Sequence, residues 1–125
     1  MPAPSSQPEP TPSDLCRTFA PDPDRVAGLQ GRLVEVAGLS ELFRALADES
    51  RVKILYLLSL QELCVCDLAQ ILGLTLPAIS HHLRLLKAMR LVKFHRQGRM
   101  VYYSLRDNHI VELIRVAREH FLEGR

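Results

Sequence analysis

Asp107-x-His109 and His120-x-x-Glu123 are the residues whose types and spacing most plainly suggest chemistry: two imidazoles and two carboxylates on one C-terminal segment. Read as a helix from Asn108 to Glu123, capped by Asp107 or Asn108, the segment separates His109 from His120 by ~16 Å, at about 1.5 Å per residue. Eleven residues is also nearly three whole turns, so both imidazoles point the same way. One copy of the helix cannot bring the two pairs together. Laid antiparallel against a second copy, it sets Asp107 and His109 of one chain beside His120 and Glu123 of the other. A set of two nitrogens and two carboxylate oxygens suits a four-coordinate zinc-type ion. The plainer alternative is a row of solvated polar residues along a helix rim. Leu113, Ala117, Ile110, Phe121 and Ile114 occupy the neighbouring arc, so the donors border an apolar stripe, as an intersubunit site on a two-fold interface requires.

Cys64-x-Cys66-Asp67 is a second candidate, with Cys16 upstream as a donor that a flexible arm brings over. Thiolates favour soft ions such as cadmium, lead, arsenic(III) and copper(I), and also zinc. A pair of cysteines near a helix start is also a common core feature. An odd number of cysteines argues against a disulfide framework.

The elements that position these groups follow from periodicity. Residues 1–23, rich in Pro and Ser, read as a flexible arm, and 24–125 as one folded domain. Val26, Leu29, Leu33 and Val36 mark an amphipathic helix despite Gly28 and Gly31. Ser40 is the expected cap of a short helix through Leu46, broken at Asp48 to Ser50. Val52 to Leu58 form a nearly all-apolar helix and so the central buried element. Val65 to Leu72 make a short helix closed by Gly73, and Thr75 caps a second one that tolerates Pro77 in its first turn. On that second helix Ser80, His81, Arg84 and Lys87 share an outward arc. His82 lies inward, as a packed, hydrogen-bonded core histidine. From Leu91 the period changes to two: Leu91–His95 and Met100–Ser104 flank Arg96-Gln97-Gly98-Arg99, a hairpin with glycine in its turn. The chain is therefore expected to be mainly α with a β-hairpin wing, a winged helix-turn-helix.

Charge agrees. Between Thr75 and Arg106 stand seven basic residues and no acidic one, while the other residues carry nine basic and fourteen acidic groups, net −5. A charge run is often only a solvated face. One this clean inside an otherwise acidic protein points to a polyanion-binding surface. Thr75, Ser80, His81, Arg84 and Lys87 would meet double-stranded DNA from the second helix, and Arg96 and Arg99 from the wing. No apolar run of 18 residues and no basic-then-apolar leader is present, so no membrane partner and a cytoplasmic location are expected. Four protein donors would leave a zinc ion no place for an activated water, and no nucleophile motif accompanies them, so no enzyme is expected.

Ala45-Leu46-Ala47-Asp48-x-x-Arg51, Glu62-Leu63-Cys64-Val65-Cys66-Asp67-Leu68-Ala69, Ser80-His81-His82-Leu83-Arg84-x-Leu86 and Gly98-Arg99-x-Val101-Tyr102-Tyr103 together resemble the ArsR/SmtB family of metal-responsive winged-helix repressors, most closely its zinc-sensing branch. The resemblance covers roughly Leu42 to Glu123. It implies a homodimer through the N- and C-terminal helices. It also implies an apo form bound to an imperfect inverted-repeat operator and released by zinc, with cadmium, lead or cobalt as other effectors. Asp107, His109, His120 and Glu123 fill all four places of the family's C-terminal-helix zinc pattern, and Cys64, Cys66 and Cys16 match its thiolate site. The second N-terminal cysteine of full tetrathiolate members is absent. A cadmium/lead- or arsenite-type sensor using the cysteines, and a thiol-redox regulator on the same fold, are the competing readings.

Overall fold

The computed structural model describes residues 14–124, in two compact units that meet at Ala37/Gly38. Most of the expected N-terminal arm, residues 1–13, lies outside the described residues. None of the helices is long and apolar enough to cross a membrane among the described residues.

The first unit holds α1 (Pro23–Gln30), capped by Asp22, whose carboxylate accepts from the Arg25 amide at 3.0 Å. Pro23 opens it, a position where its missing N–H costs nothing. The sequence predicts one amphipathic helix over 26–36. Instead the chain tightens at Gly31 into a 3₁₀ segment, Gly31–Val36. Two glycines in eleven residues lower α-propensity enough for that change. Val26, Leu29, Leu33 and Val36 are all exposed.

The second unit runs α2 (Leu39–Leu46), α3 (Glu49–Leu60), β1 (Leu63–Cys64), α4 (Val65–Leu72), α5 (Leu76–Ala88), β2 (Val92–Gln97), β3 (Met100–Leu105) and α6 (Asn108–Leu122). Ser40 is not the cap of α2. Gly38 is, at φ 85°, a left-handed conformation that glycine adopts without a Cβ penalty. Asp48 does not simply break the chain either: its carboxylate accepts from the Arg51 amide at 3.0 Å and starts α3. That bond holds the Asp48 carboxyl below its ordinary range. The Arg51 side chain turns back to the Ala45 carbonyl, Nε to O 2.6 Å, and ties α3 to the end of α2.

Ile54, Leu55 and Leu58 of α3 are buried with Leu68 of α4 and Ile79, Leu83 and Leu86 of α5, and Leu91, Val92 and Leu105 close the core from the sheet side. The expectation that α3 is the central buried element holds for this face, while Val52 and Leu60 stay exposed. Gly73, at φ 66°, ends α4, and Thr75 caps α5 by accepting from the Ala78 amide at 3.3 Å.

The C-terminus of α5 closes on a residue that sequence patterns do not flag. Arg90 takes φ 61°. Its amide donates to the Lys87 carbonyl at 3.0 Å and the Leu91 amide donates to Leu86 at 2.9 Å. These are the two bonds of a Schellman motif, whose left-handed position usually belongs to glycine. Arg90→Gly is therefore expected to stabilise the fold by about 1 kcal/mol, read as a rise in urea midpoint with unchanged slope.

The sheet has order β1-β3-β2, all antiparallel. The hairpin is tighter than the sequence suggests. Gln97 pairs with Met100, and Arg96, expected in the turn, pairs with Val101 within the ladder. Gly98, at φ 62°, and Arg99 alone make the reversal. A positive φ at the first central residue permits a two-residue loop whose twist matches the strands. β1 has no counterpart in the sequence reading. It is two residues long and pairs Leu63 with Tyr103 and Cys64 with Tyr102.

Candidate nucleic-acid interface and metal-ligating groups

Helix α4, the turn at Gly73 and helix α5 are held by the core, which buries Leu68 on one side and Ile79, Leu83 and Leu86 on the other. This fixes the opposite arc of α5 outward. His81, Arg84 and Lys87 are exposed and Ser80 is half-buried. Thr75, at the N-terminus, keeps its hydroxyl proton for an outside acceptor while its oxygen serves the cap. The wing is tied to this helix. Lys87 Nζ lies 4.5 Å from the centre of the Phe94 ring on β2, a cation–π contact across the two elements. Arg84 stands close enough to Tyr103 on β3 to counteract part of the upward push that burial gives the Tyr103 hydroxyl. Arg99 occupies the turn and Arg96 the exposed strand beside it. Helix and wing together thus present one basic surface.

His82 faces inward as expected, but it is not hydrogen-bonded as expected. Its Nδ1 is buried and has no hydrogen-bond partner among the described residues.

The C-terminal donors fall into two pairs. Asp107 caps α6, accepting from the Ile110 amide at 3.2 Å, and the same oxygen lies 3.5 Å from His109 Nδ1. Eleven residues after His109, His120 Nδ1 lies 3.6 Å from a Glu123 carboxylate oxygen. Glu123 sits just past the helix end with extended backbone, rather than on the helix as the sequence reading has it, because α6 stops at Leu122. The imidazoles are very open, 94% for His109 and 86% for His120. Within one chain the pairs do not meet, and no group of three or more His, Cys, Asp or Glu residues gathers among the described residues. In each pair the carboxylate oxygen lies nearest the Nδ1 side of the ring.

Next to these donors the apolar stripe of α6 divides. Ile110 and Ile114 pack on the core. Leu113, Ala117 and Phe121 instead line an open groove of about 520 Å³ with Phe43, Leu46 and Tyr56. Phe43 and Phe121 are 53% and 63% exposed, so this apolar face is largely open.

The cysteines are separated by environment. Cys64 is buried, and its sulfur serves as the cap of α4, accepting from the Asp67 amide at 3.4 Å. Burial pushes its thiol pKa up. Cys66 is exposed, as is Cys16, which belongs to the first unit. Cys64 and Cys66 share a cavity of about 250 Å³ with Ser80 of α5 and Arg99 and Met100 of the wing. Sequence reading did not connect these residues, because the connection is made by β1.

Residues 48–93, from the cap of α3 into β2, match the family described as bacterial regulatory protein, arsR family. Over 86 residues the chain is 51% identical to a transcriptional repressor SmtB homolog of Synechocystis; the match covers 69% of this chain and 65% of that protein, just under two thirds of its length. It is 48% identical over 83 residues to a cadmium resistance transcriptional regulatory protein CadC homolog of Staphylococcus aureus, covering 66% of this chain and 69% of that one. Among solved structures, reduced HlyU from Vibrio cholerae superposes with a TM-score of 0.68 at 29% identity, covering 75% of this chain and 99% of HlyU. The homodimeric winged helix-turn-helix domain Mb0332 from Mycobacterium bovis gives 0.63 at 29% identity, covering 86% and 96%. With its α4–turn–α5 pair, its wing and the exposed basic residues on both, the chain belongs to the arsR family of bacterial regulatory proteins.

Proposed function

We propose that the chain is a metal-sensing repressor that binds an inverted-repeat operator as an apo homodimer and leaves it when zinc occupies sites shared between two α6 helices. The observation that carries this reading is the paired geometry of α6. Each end holds an imidazole with a carboxylate beside it, and both imidazoles are open. An antiparallel partner helix would set the Asp107–His109 pair of one chain against the His120–Glu123 pair of the other. Zinc supplies one thing there, a bond between chains. All other work belongs to the protein: Asp107 and Glu123 stand beside the rings as the other two donors, and α6 transmits its position through Ile110 and Ile114 to the core. That core also seats α5, so a change in the angle between protomers alters the spacing of two recognition helices, to which a two-fold operator is sensitive.

The relatives support metal as the trigger, since one carries the name of an SmtB repressor homolog and others are named cadmium resistance regulators. The latter, with Cys64 and Cys66 in one cavity, support a second reading in which a soft ion such as cadmium or lead acts at the thiols, with Cys16 of the arm as a further donor. Gel shifts of the operator with and without zinc test the main reading. Operator binding that is indifferent to zinc but abolished by cadmium would favour the second.

On the DNA side, Thr75, Ser80, His81 and Arg84 would reach base edges and nearby phosphates, while Lys87, Arg96 and Arg99 hold the backbone. Arg99→Ala should weaken binding to all sequences alike and make the plot of log K against log salt shallower by about one unit per lost phosphate contact. Arg84→Ala should also relax base preference. An Arg99→Ala variant with an unaltered salt slope would remove the wing tip from the interface.

A further inference from the structure

We propose that Met100 completes a three-sulfur site with Cys64 and Cys66, and that this site selects a monovalent copper ion, Cu(I). The inference rests on the reading of the two cysteines as metal ligands and adds a donor that thiol spacing alone does not reveal.

Three observations converge. Cys64, Cys66 and Met100 line one cavity of about 250 Å³, so the three sulfur-bearing side chains border one space. The strand register explains how. Cys64 pairs directly with Tyr102, so Met100, two residues earlier on β3, stands on the same sheet face as a diagonal neighbour of Cys64. Diagonal positions lie roughly 7–8 Å apart, within reach of long side chains, and methionine is unbranched and adaptable. Cys66 stands exposed in the first turn of α4, two residues after Cys64. Lastly, Met100 is 36% exposed and absent from the core cluster, so its thioether is not committed to packing.

The donor chemistry selects the ion. A thioether is a soft, neutral ligand that suits Cu(I) and adds little for a divalent ion of borderline hardness. Two thiolates around a monovalent cation leave one net negative charge. Arg99 lines the same cavity and supplies the opposite charge. Ligation releases the two thiol protons to solvent and changes no oxidation state. It also ties β3 to the start of α4 and draws Arg99 toward the sulfurs, away from a phosphate. Ser80 of α5 forms another wall. Loading would therefore act on the DNA-binding surface directly, without passing through α6.

The test is an anaerobic titration of the full chain with Cu(I) against a chromophoric Cu(I) chelator. Met100→Leu, similar in volume, should weaken Cu(I) binding at least ~10-fold, a loss known even for outer-shell partners of a metal. Zinc binding should be unchanged in that variant, and Cys16→Ser should leave Cu(I) affinity as in the parent. Copper-edge X-ray absorption of selenomethionine-labelled protein provides a check that needs no substitution. The chain has three methionines, and a copper–selenium path is expected from Met100. Unchanged affinity in Met100→Leu, or no selenium neighbour, overturns the proposal. If Cys66→Ser then loses copper, the thiolate reading survives without Met100. If Cys66→Ser also binds as the parent does, both fall.

Discussion

His120→Ala is expected to hold its operator as tightly as the parent chain and to stay bound when zinc is added. Releasing a repressor a thousandfold requires about 4 kcal/mol of coupling between the two ligands, and removing one imidazole should erase nearly all of it. Structural zinc sites release well above that amount on binding, so the source is adequate. By linkage, whatever factor zinc takes from DNA affinity, DNA takes from zinc affinity. The variant should therefore also lose the weakening of zinc binding that operator DNA causes in the parent. No folding defect should confuse the result, because the His120 side chain is 86% exposed and its ion-pair contact is with Glu123, itself exposed, at 3.6 Å. His109→Ala should behave alike, and the double variant no worse than either, since both imidazoles serve one site. Calorimetric zinc titrations with and without operator would read both affinities. A His120→Ala protein still driven off DNA by zinc would remove α6 from the mechanism and leave the thiol cavity as the sensing site.

How much of this was legible in the sequence depends on how local each feature is. Helix α5, its cap at Thr75 and the glycine that ends α4 were readable because each is set by a few neighbouring residues with strong preferences. The wing was readable from its change of period, but its register was not. A two-residue loop and a four-residue loop share the same flanking residues, and only the φ of Gly98 separates them. Ser40 looked like a cap because serine caps helices often, yet Gly38 won by turning the chain through a conformation serine tolerates poorly. Arg90 in a left-handed turn could not be foreseen, since that position at a helix end usually belongs to glycine and no glycine stands there. Non-local pairing hid the most. β1 is two residues long and has no period to read, yet it sets Cys64 opposite Tyr102 and near Met100. The paired His and carboxylate groups of α6, by contrast, were legible in full as pairs, because i to i+2 and i to i+3 neighbours at a helix end need no tertiary contact to meet.

Phe121→Glu should turn the protein into a monomer and weaken operator binding about 10²–10⁴-fold, the range by which two linked contacts exceed one. The groove of α2, α3 and α6 is the basis for this expectation. It is lined by Phe43, Leu46, Tyr56, Leu113, Ala117 and Phe121, with both phenylalanines more than half exposed. Contiguous apolar faces of this kind mark association surfaces, and a self-complementary patch closes as a two-fold pair. The proposed metal donors border this face, so a second copy seated on it is also what would bring the two His and carboxylate pairs together. A glutamate at 121 would be forced into the apolar contact without a partner, at the cost of an unpaired buried charge. Because Phe121 lies on the surface of one chain and outside its buried core, the monomer should keep its helical signal in circular dichroism. Sedimentation equilibrium would read the assembly state, and gel shifts the affinity. The same variant should fail to bind zinc tightly at α6, since each proposed site needs donors from two chains. Phe121→Leu, which keeps the apolar contact, should restore both dimer and response. A Phe121→Glu chain that remains a zinc-responsive dimer would place the two-fold contact elsewhere and dissolve the shared site along with it.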